Sequence, residues 1–224
     1  MFARFDRMSK AFTRIGKEIA IAVKLGGSDP AGNPRLRTAV QNARGANMPK
    51  DRVEAAIKRA SSKDSENFIE IVYEGYGPYG VAIIAECATD NPTRTVANIR
   101  SCFNKYNGSL ATSGALEFLF QRRGVFKFPL AGQNPEELEL TLIECGADDI
   151  EMDEEEAIAY SEFSNFIAMQ KKLEERGLSP TVSEIQRIPA NTVSLTDEQS
   201  EELAKLIDRI EEDDDVQSVY HNIA

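Results

Sequence analysis

The sequence predicts an α+β multidomain protein: an N-terminal three-helix bundle followed by two small α+β sandwiches of the ferredoxin-like kind. Three observations lead there. Residues 8–60 carry apolar side chains at helical spacing in three runs. The polar stretch Ser61-Ser62-Lys63-Asp64-Ser65-Glu66 then breaks the pattern. Beyond it, short alternating runs interleave with helical stripes, and turn-rich breaks at 129–134 and 189–191 divide them.

In the first helix Phe12, Ile15, Ile19 and Val23 recur on one face, and Gly26-Gly27 ends it. Asn33-Pro34 supplies an N-cap and a proline at the first helical position of the second. Leu36, Val40 and Ala43 are its apolar stripe, and Gly45 closes it. Asn47-Met48-Pro49 opens the third, with Asp51 near its positive end and Val53, Ala56 and Ile57 facing inward. Helices this short are marginal alone in water and must pack.

Residues 68–76 and 81–87 alternate as two strands, and Asn91-Pro92 starts a helix striped by Val96, Ile99 and Phe103. Two further strands are expected at 116–120 and 125–128. A βαβ-like segment follows: helix 135–145, strand material near Ile150 and Met152, and a strand at 157–160. Then come a helix with Phe163, Phe166, Ile167 and Gln170 and a strand with Val182, Ile185 and Ile188. Thr196 and Gln199 form a capping box before a helix striped by Leu203, Leu206, Ile207 and Ile210, and 216–221 is a final strand. Asp213-Asp214-Asp215 reads as a solvated helix end.

The 224 residues are 42% hydrophobic, enough for proper cores. No run of about 18 apolar residues could span a bilayer. Met1-Phe2-Ala3-Arg4 lacks a signal pattern. Cys87, Cys102 and Cys145 are odd in number and form no CxxC pair, which fits buried thiols in a reducing compartment. A cytoplasmic location is expected, with no membrane contact.

The net charge of −11 is unevenly spread. Residues 1–60 carry 13 Lys+Arg against 5 Asp+Glu, residues 61–131 carry 7 against 7, and residues 132–224 carry 6 against 25. A uniformly acidic protein repels a polyanion. A segregated basic lobe attracts one, because charges act unscreened only within about 10 Å at 0.1 M salt.

Catalytic machinery is not evident. His221 is the single histidine and has the neighbours of a strand residue. Zinc spacing is missing, and the carboxylates of 151–156 lack the glycine and alternation of a calcium loop. Gly75-Tyr76-Gly77-Pro78-Tyr79-Gly80 is formally GxGxxG, but Val81-Ala82-Ile83-Ile84-Ala85 after it is strand-like, so it reads as a hairpin connection. The expectation is a non-enzyme without cofactor, metal or small-molecule substrate.

The candidate phosphate contacts are Lys10, Arg14, Lys17 and Lys24 on the first helix, Arg35 and Arg37 on the second, and Lys50, Arg52, Lys58 and Arg59 on the third. Four to six such contacts on B-DNA give a slope of log K against log salt of roughly −4 to −5, and on a single strand roughly −3 to −4. The short turn at Gly45 resembles a helix-turn-helix. Phosphate attraction serves DNA and RNA alike. A protein-interaction module with a basic partner is a competing reading.

Several blocks together carry a resemblance. They are Lys24-Leu25-Gly26-Gly27-Ser28-Asp29-Pro30, Asn33-Pro34-Arg35-Leu36-Arg37, Asn47-Met48-Pro49-Lys50-Asp51, Tyr73-Glu74-Gly75-Tyr76-Gly77-Pro78, and Thr89-Asp90-Asn91 with Arg94-Thr95. With these the chain resembles the YebC/PmpR family from about residue 9 onward. The resemblance implies three domains, the third inserted in the second. On this chain they would be 1–66, then 67–131 with 191–224, with the insert at 132–190. It also implies a DNA-binding transcriptional regulator, or alternatively a ribosome-associated translation factor that meets rRNA and relieves stalling on sequences such as proline runs. The family pattern leads one to expect a longer basic N-terminal segment, and glycine where Tyr79 stands.

Overall fold

The structure is a computed structural model that describes residues 2–62 and 65–224, with side chains from Met8 onward. Lys63 and Asp64 of the expected linker lie outside the described residues. The helices are α1 (Phe2–Gly26), α2 (Pro34–Gly45), α3 (Lys50–Ala60), α4 (Pro92–Lys105), α5 (Pro135–Cys145), α6 (Phe166–Glu175) and α7 (Asp197–Glu211). The strands are β1 (Ile69–Tyr76), β2 (Ala82–Thr89), β3 (Ser109–Leu110), β4 (Phe120–Pro129), β5 (Asp149–Met152), β6 (Glu156–Glu162), β7 (Val182–Pro189) and β8 (Val216–His221). They form two four-stranded sheets, ordered β3-β1-β2-β8 and β5-β6-β4-β7. This is the α+β multidomain fold the sequence predicts. The second sheet is completed before β8 closes the first, so it is an insertion in chain order.

The chain divides into two compact units. The first holds residues up to Ile21, Ser62–Gln121 and Ile188–Ala224. Its sheet buries Val81, Ile83, Ala85 and Cys87 against Ile99 and Phe103 of α4 and Leu203, Leu206 and Ile210 of α7. The opposite face packs Ala82 and Ile84 on Leu116 and Phe120. Antiparallel pairing of β1 with β2 runs to Tyr76↔Ala82, and Gly77 N–H donates to Val81 C=O at 2.8 Å. The GxGxxG segment thus joins two strands. Tyr79 sits at φ 63°, in the left-handed region that favours glycine, and its hydroxyl donates to the Glu202 carboxylate.

Residues 116–120, expected as a strand, instead make a 3-10 turn at Glu117–Leu119 before β4 begins. The cause is Glu74, only 2% exposed, whose carboxylate accepts from Gly114 N–H at 2.7 Å and Leu116 N–H at 2.6 Å. These charge-assisted bonds curl the loop and bury Leu116 completely.

The second unit holds Ala22–Ser61 and Arg122–Arg187. Its βαββαβ order and β5-β6-β4-β7 sheet are ferredoxin-like, with Phe126, Phe128, Ala157 and Ala159 packed under Leu138, Leu142, Phe166, Met169 and Leu173. β4 pairs with β6 from Arg123↔Glu162 to Pro129↔Glu156, so this strand belongs to the inserted sheet although it precedes residue 131.

The same unit contains α2 and α3. Asn33 caps α2 by accepting from Leu36 N–H, and its amide donates to Ala22 C=O at 2.7 Å and Gly27 C=O at 2.9 Å. A stripe along α2 then meets the inserted sheet and its helix. Arg37 pairs with Glu174 at 3.1 Å, and Gln170 donates to Thr38 Oγ1 at 2.8 Å. Asn42 accepts from Ser183 N–H and donates to Ser183 C=O, both at 2.8 Å. Asn42 therefore supplies to the outer edge of β7 the two bonds that a neighbouring strand would give. Gly45 is the last residue of α2, as expected, but it has a second role. The C-cap is Ala46, and a Cβ on Gly45 would stand 1.8 Å from Thr181 O. Glycine here lets the last turn of α2 lie on backbone.

Gly45→Ala should therefore destabilise the protein by roughly 1–3 kcal/mol, the usual cost of overpacking. Asn42→Ala should cost at least as much, because each buried backbone group left unpaired costs about 1–3 kcal/mol. Urea denaturation of both variants checks this; unchanged midpoints would refute the close packing of α2 on β7.

Candidate nucleic-acid interface

The ten cations selected from sequence fall into two groups. Lys10, Arg14 and Lys17 lie in the first unit, while Lys24, Arg35, Arg37, Lys50, Arg52, Lys58 and Arg59 lie in the second.

In the first unit the cations of α1 are engaged internally. Arg14 donates to Val216 C=O at 3.1 Å and Glu211 C=O at 3.4 Å. The Lys17 ammonium donates to Ala88 C=O at 2.9 Å, Asp214 C=O at 2.8 Å and Asp215 Oδ1 at 2.8 Å. Its side chain is only 11% exposed. With all three ammonium donors occupied, Lys17 has none left for a phosphate. Lys10 lines a cleft with Glu211, Asp213 and Asp214, where carboxylates dominate the field.

Asp215 is the partner these contacts converge on. It is 4% exposed, so the run 213–215 is not simply the solvated helix end expected. Its second oxygen accepts from Arg94 at 2.7 Å, Thr95 at 2.8 Å and Thr89 at 3.1 Å. Burial pushes this carboxyl up, but the hydrogen bonds from Lys17, Arg94 and Thr95, with the Lys17 charge, outweigh it and hold it at about 2. A cavity of about 610 Å³ beside it is lined by Arg94, Lys105 and Arg209 together with Glu212, Asp213 and Asp214. Such mixed signs do not make the one-signed surface a polyanion needs.

The second unit differs. Val53 and Ala60, seven residues apart on α3, face inward, which leaves Lys50, Arg52, Lys58 and Arg59 exposed. Lys50 is 87% exposed, and its contact with Glu54 is 3.5 Å, a weak surface pair. Lys24 is exposed at the end of α1, and Arg35 is half-buried in the first turn of α2. Arg37 is used structurally: besides Glu174, it donates to Pro30 C=O at 3.2 Å and Ala31 C=O at 3.4 Å. Arg44, exposed in the last turn of α2, joins the set although it was not singled out from sequence. Its signal is its position seven residues after Arg37, two helical turns on. The turn between α2 and α3 is short, with Asn47 at φ 57°. Buried Leu36, Ala39 and Ala43 and the polar stripe on β7 hold α2, so these cations stand on a fixed support.

Among the described residues no group of three or more His, Cys, Asp or Glu is placed to hold a metal ion, and no helix is long and apolar enough to cross a membrane. The three cysteines are buried.

Comparison with known proteins matches residues 1–63 to the family model described as the TACO1/YebC protein N-terminal domain, and residues 68–223 to the TACO1/YebC second and third domain. A probable transcriptional regulatory protein of Cytophaga hutchinsonii is 57% identical over 99% of this chain and 93% of its own length. One of the same description from Parabacteroides distasonis is 53% identical over 99% and 92%. The crystal structure of a conserved hypothetical protein from Aquifex aeolicus superposes with a TM-score of 0.86 at 38% identity, covering 96% of this chain and 90% of that one.

The Asp215 cluster predicts an acid-sensitive stability. An unfolded aspartate titrates near 3.9. Because the folded value is lower, the contribution is complete above about pH 4 and is lost as pH falls through about 2, on the order of 2 kcal/mol in all. Asp215→Asn should abolish this part of the pH dependence and destabilise at neutral pH by about 3–5 kcal/mol, since it strands the buried Lys17 charge. Chemical denaturation from pH 2 to 7 on both proteins is the check; parallel profiles would contradict it.

Proposed function

Since the chain belongs to the TACO1/YebC family, we propose that it is a non-enzymatic regulator of gene expression that binds nucleic acid, with DNA in transcriptional control as the leading target. The family and the names of the relatives point to regulation and not to catalysis. The observation that carries the binding reading is the exposed cation set of Lys24, Arg44, Lys50 and Lys58, with Arg52 and Arg59 beside them on α3, all within one unit. Phosphate binding draws its free energy from counterion release, which needs several cations on a support that pays little ordering entropy. The clamp of α2 on β7 provides that support.

The acidic surface of the inserted segment complements this role. Residues 132–187 carry 15 Asp+Glu against 4 Lys+Arg. A polyanion is repelled where those carboxylates crowd and attracted to α3, so charge biases the orientation of approach.

Reversal of three exposed cations, Lys24→Glu, Arg44→Glu and Lys58→Glu together, should weaken duplex DNA binding strongly and flatten the salt slope by about 3. Lys17→Met should leave that slope unchanged while lowering stability. Fluorescence anisotropy across a salt series measures both; a triple variant with the wild-type slope would overturn the reading.

A further inference from the structure

Residues 122–187, which build the inserted sheet and its helices, spend most of their cations on carboxylates or carbonyls. Arg123 pairs with Asp148, Lys127 with Glu156 at 3.5 Å, Lys171 with Glu175 at 3.8 Å and Arg176 with Glu144 at 2.7 Å. Arg122 does not follow. It is exposed, and among the described residues it has no ion pair; its guanidinium carbon lies 4.0 Å from the centre of the Phe163 ring. Phe163 is itself 45% exposed. In a segment so rich in acid, an arginine stacked on an exposed phenylalanine is the exception. The adjacent Glu162 does not neutralise it and accepts instead from Ser164 at 3.4 Å.

The backbone beneath the pair is tightly held. β4 and β6 are in register at Arg123↔Glu162, which sets Arg122 beside the start of the turn that carries Phe163. A Cβ on Gly124 would stand 2.4 Å from Ser161 Oγ and 2.8 Å from the Phe166 ring, so the two strands and the start of α6 are in direct contact. Further along α6, Gln170 and Glu174 bond Thr38 and Arg37 of α2. Along α6, from Phe166 to Glu174, the helix rises about 12 Å at the α-helical pitch.

We propose that Arg122 and Phe163 form a stacking platform for an unpaired base of a single nucleic-acid strand, whose phosphates continue to the cations of α2 and α3. The base stacks on the outer face of the guanidinium, which the ring supports from below, and the guanidinium edge remains free to donate to a phosphate. A paired base inside a duplex has no open face to offer, so the platform selects single strands. This rests on the nucleic-acid reading above and specifies the form of nucleic acid it takes. An unpaired base can come from RNA or from melted DNA, and the chemistry is shared.

The test measures anisotropy of the full chain with a labelled mixed-sequence RNA, the same sequence as single-stranded DNA, and the corresponding DNA duplex. Arg122→Ala and Phe163→Leu should each weaken both single strands by roughly ten-fold and leave the duplex within two-fold. Arg122→Lys keeps the charge but loses the plane, and should behave as Arg122→Ala on single strands. Thermal unfolding confirms that each variant is folded. Full affinity in Arg122→Lys, or equal losses on duplex and single strands, would overturn the platform and leave the binding reading standing. Wild-type protein that binds none of the three would overturn both. The arm with the greater loss identifies which strand the platform serves.

Discussion

β7 lies at the edge of its sheet, so its outward N–H and C=O groups have no strand to pair with. At Ser183 both are met by the side-chain amide of Asn42, which donates and accepts at once. α2 for its part is twelve residues long, too short to persist unaided. The edge gains a partner and the helix gains a support, and Thr38 with Gln170 and Gly45 against Thr181 extend the contact along the same stripe. Everything proposed for α2 and α3 depends on this docking, because only a fixed helix presents its cations without paying to order them.

Charge in this protein is distributed by use more than by position in the chain. The segment 1–60 is strongly basic, yet its cations serve two ends. Arg14 and Lys17 secure α1 to the α7–β8 junction, satisfying carbonyls and one buried carboxylate. Those of α3 are exposed at the surface, where Lys50 makes only a long contact with Glu54. Ion pairs at the surface contribute little to stability, whereas a buried charge must be matched. The cost of burying Asp215 is what ties up Lys17, and Arg94 is drawn in by the same carboxylate.

Arg122 extends the same reasoning to the inserted sheet. Its neighbours Arg123 and Lys127 alternate outward along β4 and find carboxylates on the facing strand or its flank. Arg122 lies one residue out of that alternation, at the end of the ladder, where Phe163 is the surface it meets. Tyr79 illustrates a different compromise: a side chain accepted where backbone geometry favours glycine, with Glu202 as its partner.

Local signals specified the elements. Asn33, Asn91 and Asn134 each cap the helix that follows, Thr196 and Gln199 form the capping box, and the Gly-Tyr-Gly-Pro segment turns a hairpin, all because capping and turn chemistry acts within four residues. The sequence by itself therefore determined the helices, most strands, the insertion and the basic character of the N-terminal segment. It did not reveal the turn at Glu117–Leu119, which a buried Glu74 forty-two residues away from Leu116 imposes. Nor did it reveal that α2 belongs with the inserted sheet, or that Asp215 is buried. Which cations face water was decided by tertiary structure alone, because a lysine's partner is chosen by distance in space, and residues 17 and 215 become neighbours only when the chain has folded.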